Sequence, residues 1–428
     1  MKYDFTSIMD RHGKDAIAVD GLGTGFAPAA PKEGFDAIPM WVADMNFPTV
    51  PTIQEAIIER TNHPAFGYFN PTDEYFDSII RWQAKRNGVQ GLTKECIGYE
   101  NGVLGGVISA LNCVCSKGDK ILIHSPTYIG FTKSIEAAGY RIVHSPLKLD
   151  DQGVWRMDFE DMECKLAQNH IHAAVFCSPH NPCGRVWERD EIERAMDIYR
   201  QHDCVVISDE IWSDIILPGH KHIPTQSVSE DARMRTVALY APSKTFNLAG
   251  LVGSYHIIYN ETLRDRVCAV SNKTHYNEMN VISMHALIGA YQPQGYEWVD
   301  ELNQVLAALN TAAATAPAGA KPTDKVDLSK SPDLKTAMES ANISSLPGLE
   351  KLNEPPYIVT LKDGTKIPVD AAGKQEAQDY QQRYWAFRSN DYSGAKAVVG
   401  SASPTTRLQP PRATWTPPCR TSRARSTP

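Results

Sequence analysis

TVALYAPSKTFNLAGLVG, residues 236–253, joins a continuous apolar run to a lysine set among small and hydroxyl residues. TVALYA (236–241) has no polar alternation and reads as a strand buried on both faces. Lys244 falls just beyond its carboxyl end, between Ser243 and Thr245. A lysine that attacks a carbonyl must be neutral, so it belongs where partial desolvation lowers its pKa. A surface lysine after a strand would look the same in isolation, so the neighbouring sequence has to decide.

Upstream, the same kind of run recurs in KILIHS (120–125), RIVHS (141–145), AAVFCS (173–178) and CVVISD (204–209). Between them lie helical patterns such as DEIERAMDIYRQHD (190–203), with apolar residues at helical spacing. Strand–helix alternation predicts an α/β fold with a doubly wound, mostly parallel sheet. Ligands of such sheets sit at the carboxyl ends of the strands. The polar residues collect there: Ser125 to Tyr128, Ser178 to Asn181, Asp209, and Ser243 with Lys244.

Each of these has a chemical and a structural reading. A carboxylate at a buried strand end, as at Asp209, is costly without a charged partner; a protonated ring nitrogen would be one, and a helix-capping aspartate is the alternative. Asn181 in SPHNPCGR (178–185) can donate its amide to a phenolate oxygen, although H-N-P is also a plain turn signal. ENGVLGGV (100–107) sets glycines before an apolar helical run, and the free N–H groups of Gly102, Val103 and Leu104 could hold a phosphate. Ser243 could add a hydroxyl. Tyr128 could stack on an aromatic ring or pack in the core.

The bulk properties exclude several classes. With 428 residues there is room for a large domain and a smaller one. The net charge of -7 gives no basic face for nucleic acid. No apolar run approaches a membrane span, and MKYDFTSIMDRHGKD has no secretory h-region. Nine cysteines are scattered without a metal or redox spacing, so no metal and a reducing cytoplasm are expected.

Taken in order, ENGVLGG, SPTYIGF, SPHNPCGRVW, VVISDEIWSD and SKTFNLAGL resemble the aminotransferase class I/II superfamily, the fold-type I enzymes of pyridoxal 5′-phosphate (PLP). PMWVADMNFPT (39–49), FGYFN (66–70) and HYNEMNVISMHALIGAY (275–291) are similar to its MalY/PatB subgroup of cystathionine β-lyases. The motif resemblance runs to about residue 306. It implies that Lys244 carries the cofactor and shuttles protons, that Asp209 pairs with the pyridine nitrogen, Asn181 with the phenolate oxygen and Tyr128 with the ring face. It implies that Tyr68 reaches the phosphate of a neighbouring subunit, hence a homodimer with shared sites. Trp212 stands where transaminases carry a phenolate-binding tyrosine, a departure that fits the lyases.

The domain expectation follows: residues 1–50 contribute to a small domain and the active site, 51–300 form the PLP-binding domain, and 307–428 stand in place of the expected small domain. NTAAATAPAGAKPTDK (310–325) reads as a linker, KTAMESANI as a short helix, YIVTLKDGTKIPV (357–369) as a hairpin turning at Asp363-Gly364, and 404–428 as disordered. The family grips the substrate α-carboxylate with an arginine. Arg388 in AFRSN has the R-x-N spacing, with a chance match of so short a motif as the competing explanation. The expectation is a carbon–sulfur β-lyase acting on cystathionine or related thioethers, with cofactor binding but poor or absent turnover because of the atypical C-terminal region. An aminotransferase and a catalytically idle PLP-binding regulator are the alternatives.

Overall fold

In the computed structural model, the described residues are 1–314, apart from 8, 26, 33 and 35–40, together with 357–360 and 366–369. The sheet has seven strands: β1 (Ile97–Asn101), β2 (Lys120–Ser125), β3 (Arg141–Pro146), β4 (Ala173–Cys177), β5 (Val205–Asp209), β6 (Thr236–Tyr240) and β7 (Gly253–Ile257). Their order is β1-β7-β6-β5-β4-β2-β3. From β3 to β6 every pairing is parallel. β7 runs antiparallel between β6 and β1, which brings β1 back into the common direction. All five apolar runs of the sequence are strands of this sheet. The two that lacked such a run, IGYEN and GSYHI, carry the buried pair Glu100 and His256, whose Nδ1–Oε1 contact of 2.7 Å compensates the polar groups.

Helices cover both faces. α1 (Pro51–Asn62) and α2 (Asp73–Asn87) precede the sheet, and α3 (Gly102–Val114) follows β1 without a connecting loop. α4 (Ile129–Ala137), α5 (Phe159–Asn169) and α6 (Arg189–Gln201) are the crossovers, and α7 (Pro242–Thr245) follows β6. α8 (Glu261–Thr274), α9 (Val281–Ala290) and α10 (Pro293–Ala314) come after β7. α6 shows how the sequence specifies these pieces. Glu188 and Glu191 form a reciprocal capping box at its start. Ile192, Ala195, Met196 and Tyr199 then return at helical spacing and are buried, at roughly 1.5–3 kcal/mol for each large side chain.

The core on the α2 side is aromatic. Trp82 stacks on Tyr291 at 4.3 Å and 8°, and Phe246, two residues past Lys244, packs against Trp298 at 5.5 Å. The N-terminus joins this core through Phe5, 5.3 Å from Trp298. The backbone amides of Lys2 and Tyr3 donate to the Glu301 carboxylate.

Two expectations beyond residue 306 meet the structure. α10 continues to Ala314, so the stretch expected as linker begins inside a helix; runs of alanine favour that. β8 (Tyr357–Thr360) and β9 (Lys366–Val369) pair antiparallel, as the hairpin reading expected. The turn at Asp363-Gly364, the rest of 310–325, the KTAMESANI helix, Arg388 and 404–428 lie outside the described residues.

Candidate active site

Six strands end on one edge of the sheet, and five of them deliver a polar group there. β5 ends on Asp209, which is 6% exposed. One carboxylate oxygen accepts from the Ile211 N–H at 3.0 Å. Burial pushes its pKa up to about 7; the Ile211 N–H and Lys244 oppose the shift, and Glu210 adds to it. Asp209 sits opposite Cys177 at the end of β4, and the Asn181 backbone N–H donates to the Cys177 sulfur at 3.4 Å, leaving the side-chain amide out of this bond. Asn181 is thereby held in the loop next to Asp209.

Lys244 follows β6 in α7, with Ser243 half-buried beside it. Its Nζ lies 3.5 Å from the Ala43 carbonyl oxygen and 5.9 Å from the centre of the Trp212 ring. Burial lowers its pKa, against the raising effects of Asp44 and Asp209. Tyr128 stands immediately before α4 and is 38% exposed. Burial raises its phenol pKa, and Asp209 adds to the shift. Gly130 has no room for a side chain because the Tyr128 ring lies over it, 2.2 Å from where a Cβ would be.

At the end of β1, Gly102 has φ +72°, a conformation glycine adopts without strain. α3 begins there without a side-chain cap. Its first N–H groups, those of Gly102, Val103 and Leu104, are the ones a helix start leaves without intrahelical partners. Lys244, Asp209, Asn181, Trp212, Tyr128, Ser243 and the α3 start therefore share one edge. Tyr68 does not join them; its side chain is fully exposed in an open loop. Arg388 lies outside the described residues.

The sequence reading gave residues 1–50 a share in the active site but named no residue there, and so missed the N-terminal clamp. Asn247, at φ +59°, accepts from the Met45 N–H at 3.3 Å and donates to the Met45 carbonyl at 2.9 Å. Arg11 pairs with Asp44 at 2.8 Å. These contacts bring Ala43 and Asp44 to the lysine. A separate cavity of about 390 Å³ lies behind α3, lined by Ser109, Asn112, Ser134, Ser271 and Tyr276 among others. No charged side chain lines it.

The family described as aminotransferase class I and II matches residues 37–343, past the point where the motif resemblance ends. The chain is 36% identical to cystathionine β-lyase PatB of Bacillus subtilis over 299 residues, 70% of this chain and 75% of that protein. It is 32% identical to protein MalY of Escherichia coli over 302 residues, 70% of this chain and 74% of that one. Among solved structures, the PLP-bound C–S lyase from Staphylococcus hominis superposes with a TM-score of 0.66 at 33% identity, covering 73% of this chain and 76% of that chain.

Proposed function

We infer that this chain, which belongs to the aminotransferase class I and II family, is a PLP-dependent carbon–sulfur β-lyase that cleaves cystathionine or a related cysteine thioether to a thiol, pyruvate and ammonia. The observation that carries the reading is the pairing of a partly desolvated Lys244 with a buried Asp209 on one sheet edge, in a chain whose relatives include cystathionine β-lyase PatB and a PLP-bound C–S lyase.

The donor set suits PLP. A buried carboxylate, Asp209, is available to a cationic ring nitrogen. The uncapped start of α3 and the Ser243 hydroxyl are available to a phosphate. Asn181 would donate to the phenolate oxygen, Tyr128 would cover one ring face, and Trp212 would flank the lysine. When bound, PLP supplies the electron sink for the Cα–H bonding pair.

The residues of the chain do the rest. Lys244, as the free amine, takes the Cα proton. Asp209 holds the proton on the ring nitrogen. The sulfur then leaves Cβ as thiolate, and water converts the three-carbon remainder to pyruvate and ammonia. Tyr68, exposed in the single chain, would reach the phosphate of a second copy in a homodimer. The eight free cysteines of the described residues suit a reducing cytoplasm. Arg388 would grip the α-carboxylate only if Arg388→Ala lowers kcat/KM by 100-fold or so, the scale of a lost charge-assisted pair. Little change would leave that grip to another residue or to none.

Borohydride reduction followed by peptide mapping tests the site. Reduced cofactor should appear on Lys244; finding it on another lysine would contradict the assignment.

A further inference from the structure

Glu210, the residue after Asp209, plays no part in the chemistry described above, yet it is fully buried. Four donors saturate it. One oxygen accepts from the Ser208 hydroxyl at 2.9 Å and the Thr225 N–H at 3.1 Å. The other accepts from His222 Nε2 at 2.8 Å and the Tyr240 hydroxyl at 2.5 Å. So many donors are what a buried ionised carboxylate requires.

Among the described residues no lysine or arginine pairs with Glu210, and its one ionisable basic neighbour is His222. His222 is buried, and its Nδ1 has no hydrogen-bond partner among the described residues. A protonated ring would place a second N–H there, buried and unsatisfied, which is unfavourable. The neutral tautomer with its proton on Nε2 donates to Glu210 and avoids that. Among the other charged groups nearby, Asp214 is buried, accepts from Trp82 and Thr245, and has Arg86 at 3.8 Å. Lys244 faces Asp209 from α7. Ser208, Thr225 and Tyr240 are neutral. Consecutive residues at a strand end point to opposite faces, so Glu210 acts on Asp209 from behind and does not line the site.

We propose that Glu210 is a built-in fixed anion that keeps a proton on Asp209 and, in the loaded protein, on the cofactor's ring nitrogen; it is a positioning residue that works through Asp209. The proposal rests on the role given to Asp209 above. The direction agrees with the charge effect of Glu210 on Asp209, which raises its pKa.

Two NMR titrations test it. In cofactor-free protein labelled with ¹³C-aspartate, the Asp209 carboxyl signal is assigned with Asp209→Asn. Glu210→Gln should move its midpoint down by about one pH unit. In protein loaded with ring-¹⁵N pyridoxal 5′-phosphate, the nitrogen should lose its proton at lower pH in the same variant. A folded Glu210→Gln protein with an unchanged Asp209 midpoint would overturn the proposal. If Glu210→Gln does not fold, His222→Gln decides, since glutamine keeps a donor to Glu210 without a titrating ring. An unchanged midpoint is expected. A midpoint that rises would show that His222 had been a cation cancelling Glu210, and would overturn the proposal. If no cofactor is taken up, the functional reading fails, while the cofactor-free titration still judges Glu210.

Discussion

The Nζ of Lys244 lies 3.5 Å from the carbonyl oxygen of Ala43, a residue 201 positions earlier in the chain. One wall of the lysine's pocket is therefore N-terminal, and it brings Asp44 with it, pinned by Arg11 at 2.8 Å. Asp44 favours a cation at the lysine nitrogen. Asp44→Asn removes that effect, so a protonated nitrogen becomes less stable and the amine is reached at lower pH. The pH at which the lysine-bound cofactor changes its visible absorbance should fall by up to about one unit. A rise would contradict the placement of Asp44.

Asp209 links the site to stability. Its carboxyl is raised by burial to about 7 in the fold, against roughly 3.9 unfolded. Between those values the unfolded chain has released a proton that the folded chain keeps, so this group's contribution is lost as pH rises from about 4 to about 7. Cofactor-free Asp209→Asn should gain on the parent protein across that window in urea melts at successive pH values. The same variant, loaded with cofactor, should exchange the substrate Cα proton at least about 100-fold more slowly. An exchange rate equal to the parent's would show that Asp209 is not the ring's partner.

Gly102 stands at φ +72° at the start of α3. Gly102→Ala meets open space, with Val252 Cγ1 at 3.8 Å as the nearest atom, so its cost is conformational, about 1–2 kcal/mol. The methyl would also lie beside the amides available to a phosphate. Cofactor affinity, measured by fluorescence titration, should weaken by roughly tenfold or more, while Tm falls by a few degrees. An unaltered affinity would remove the phosphate from this helix start.

Much of this was legible in the sequence. The central parallel strands are buried on both faces, so each is an unbroken apolar run, and the residue after each run marks the sheet edge where Asp209, Asn181 and Lys244 meet. β1 and β7 were not legible because they trade apolar residues for Glu100 and His256, a pair that makes sense only once the strands lie side by side. The Ala43–Lys244 contact was hidden for the same reason: it joins segments about 200 residues apart, and no local pattern encodes it. Glu210 looked like one half of a common D-E pair until its donors converged from β5, β6 and the loop carrying His222 and Thr225.

Tyr68 is fully exposed and far from a packed environment in the single chain. If it serves the neighbouring subunit's site, a Lys244→Ala chain and a Tyr68→Phe chain complement each other, because one site of the hybrid dimer then holds both native residues. Random mixing should restore up to about one quarter of parental activity, read as pyruvate formation. No rescue, with subunit exchange demonstrated and both parents impaired, would place Tyr68 outside the partner's site.

The most direct measurement gives cofactor-saturated protein L-cystathionine with no keto acid present, and counts pyruvate and free thiol in the same sample. The account predicts that the two appear one for one, slowly if the C-terminal region grips the α-carboxylate poorly, and that both vanish in Lys244→Ala. Amino-group transfer that starts only when a keto acid is added, with no thiol released, would contradict it and make the chain an aminotransferase. Bound cofactor with neither product would make it a protein that holds PLP without turning over.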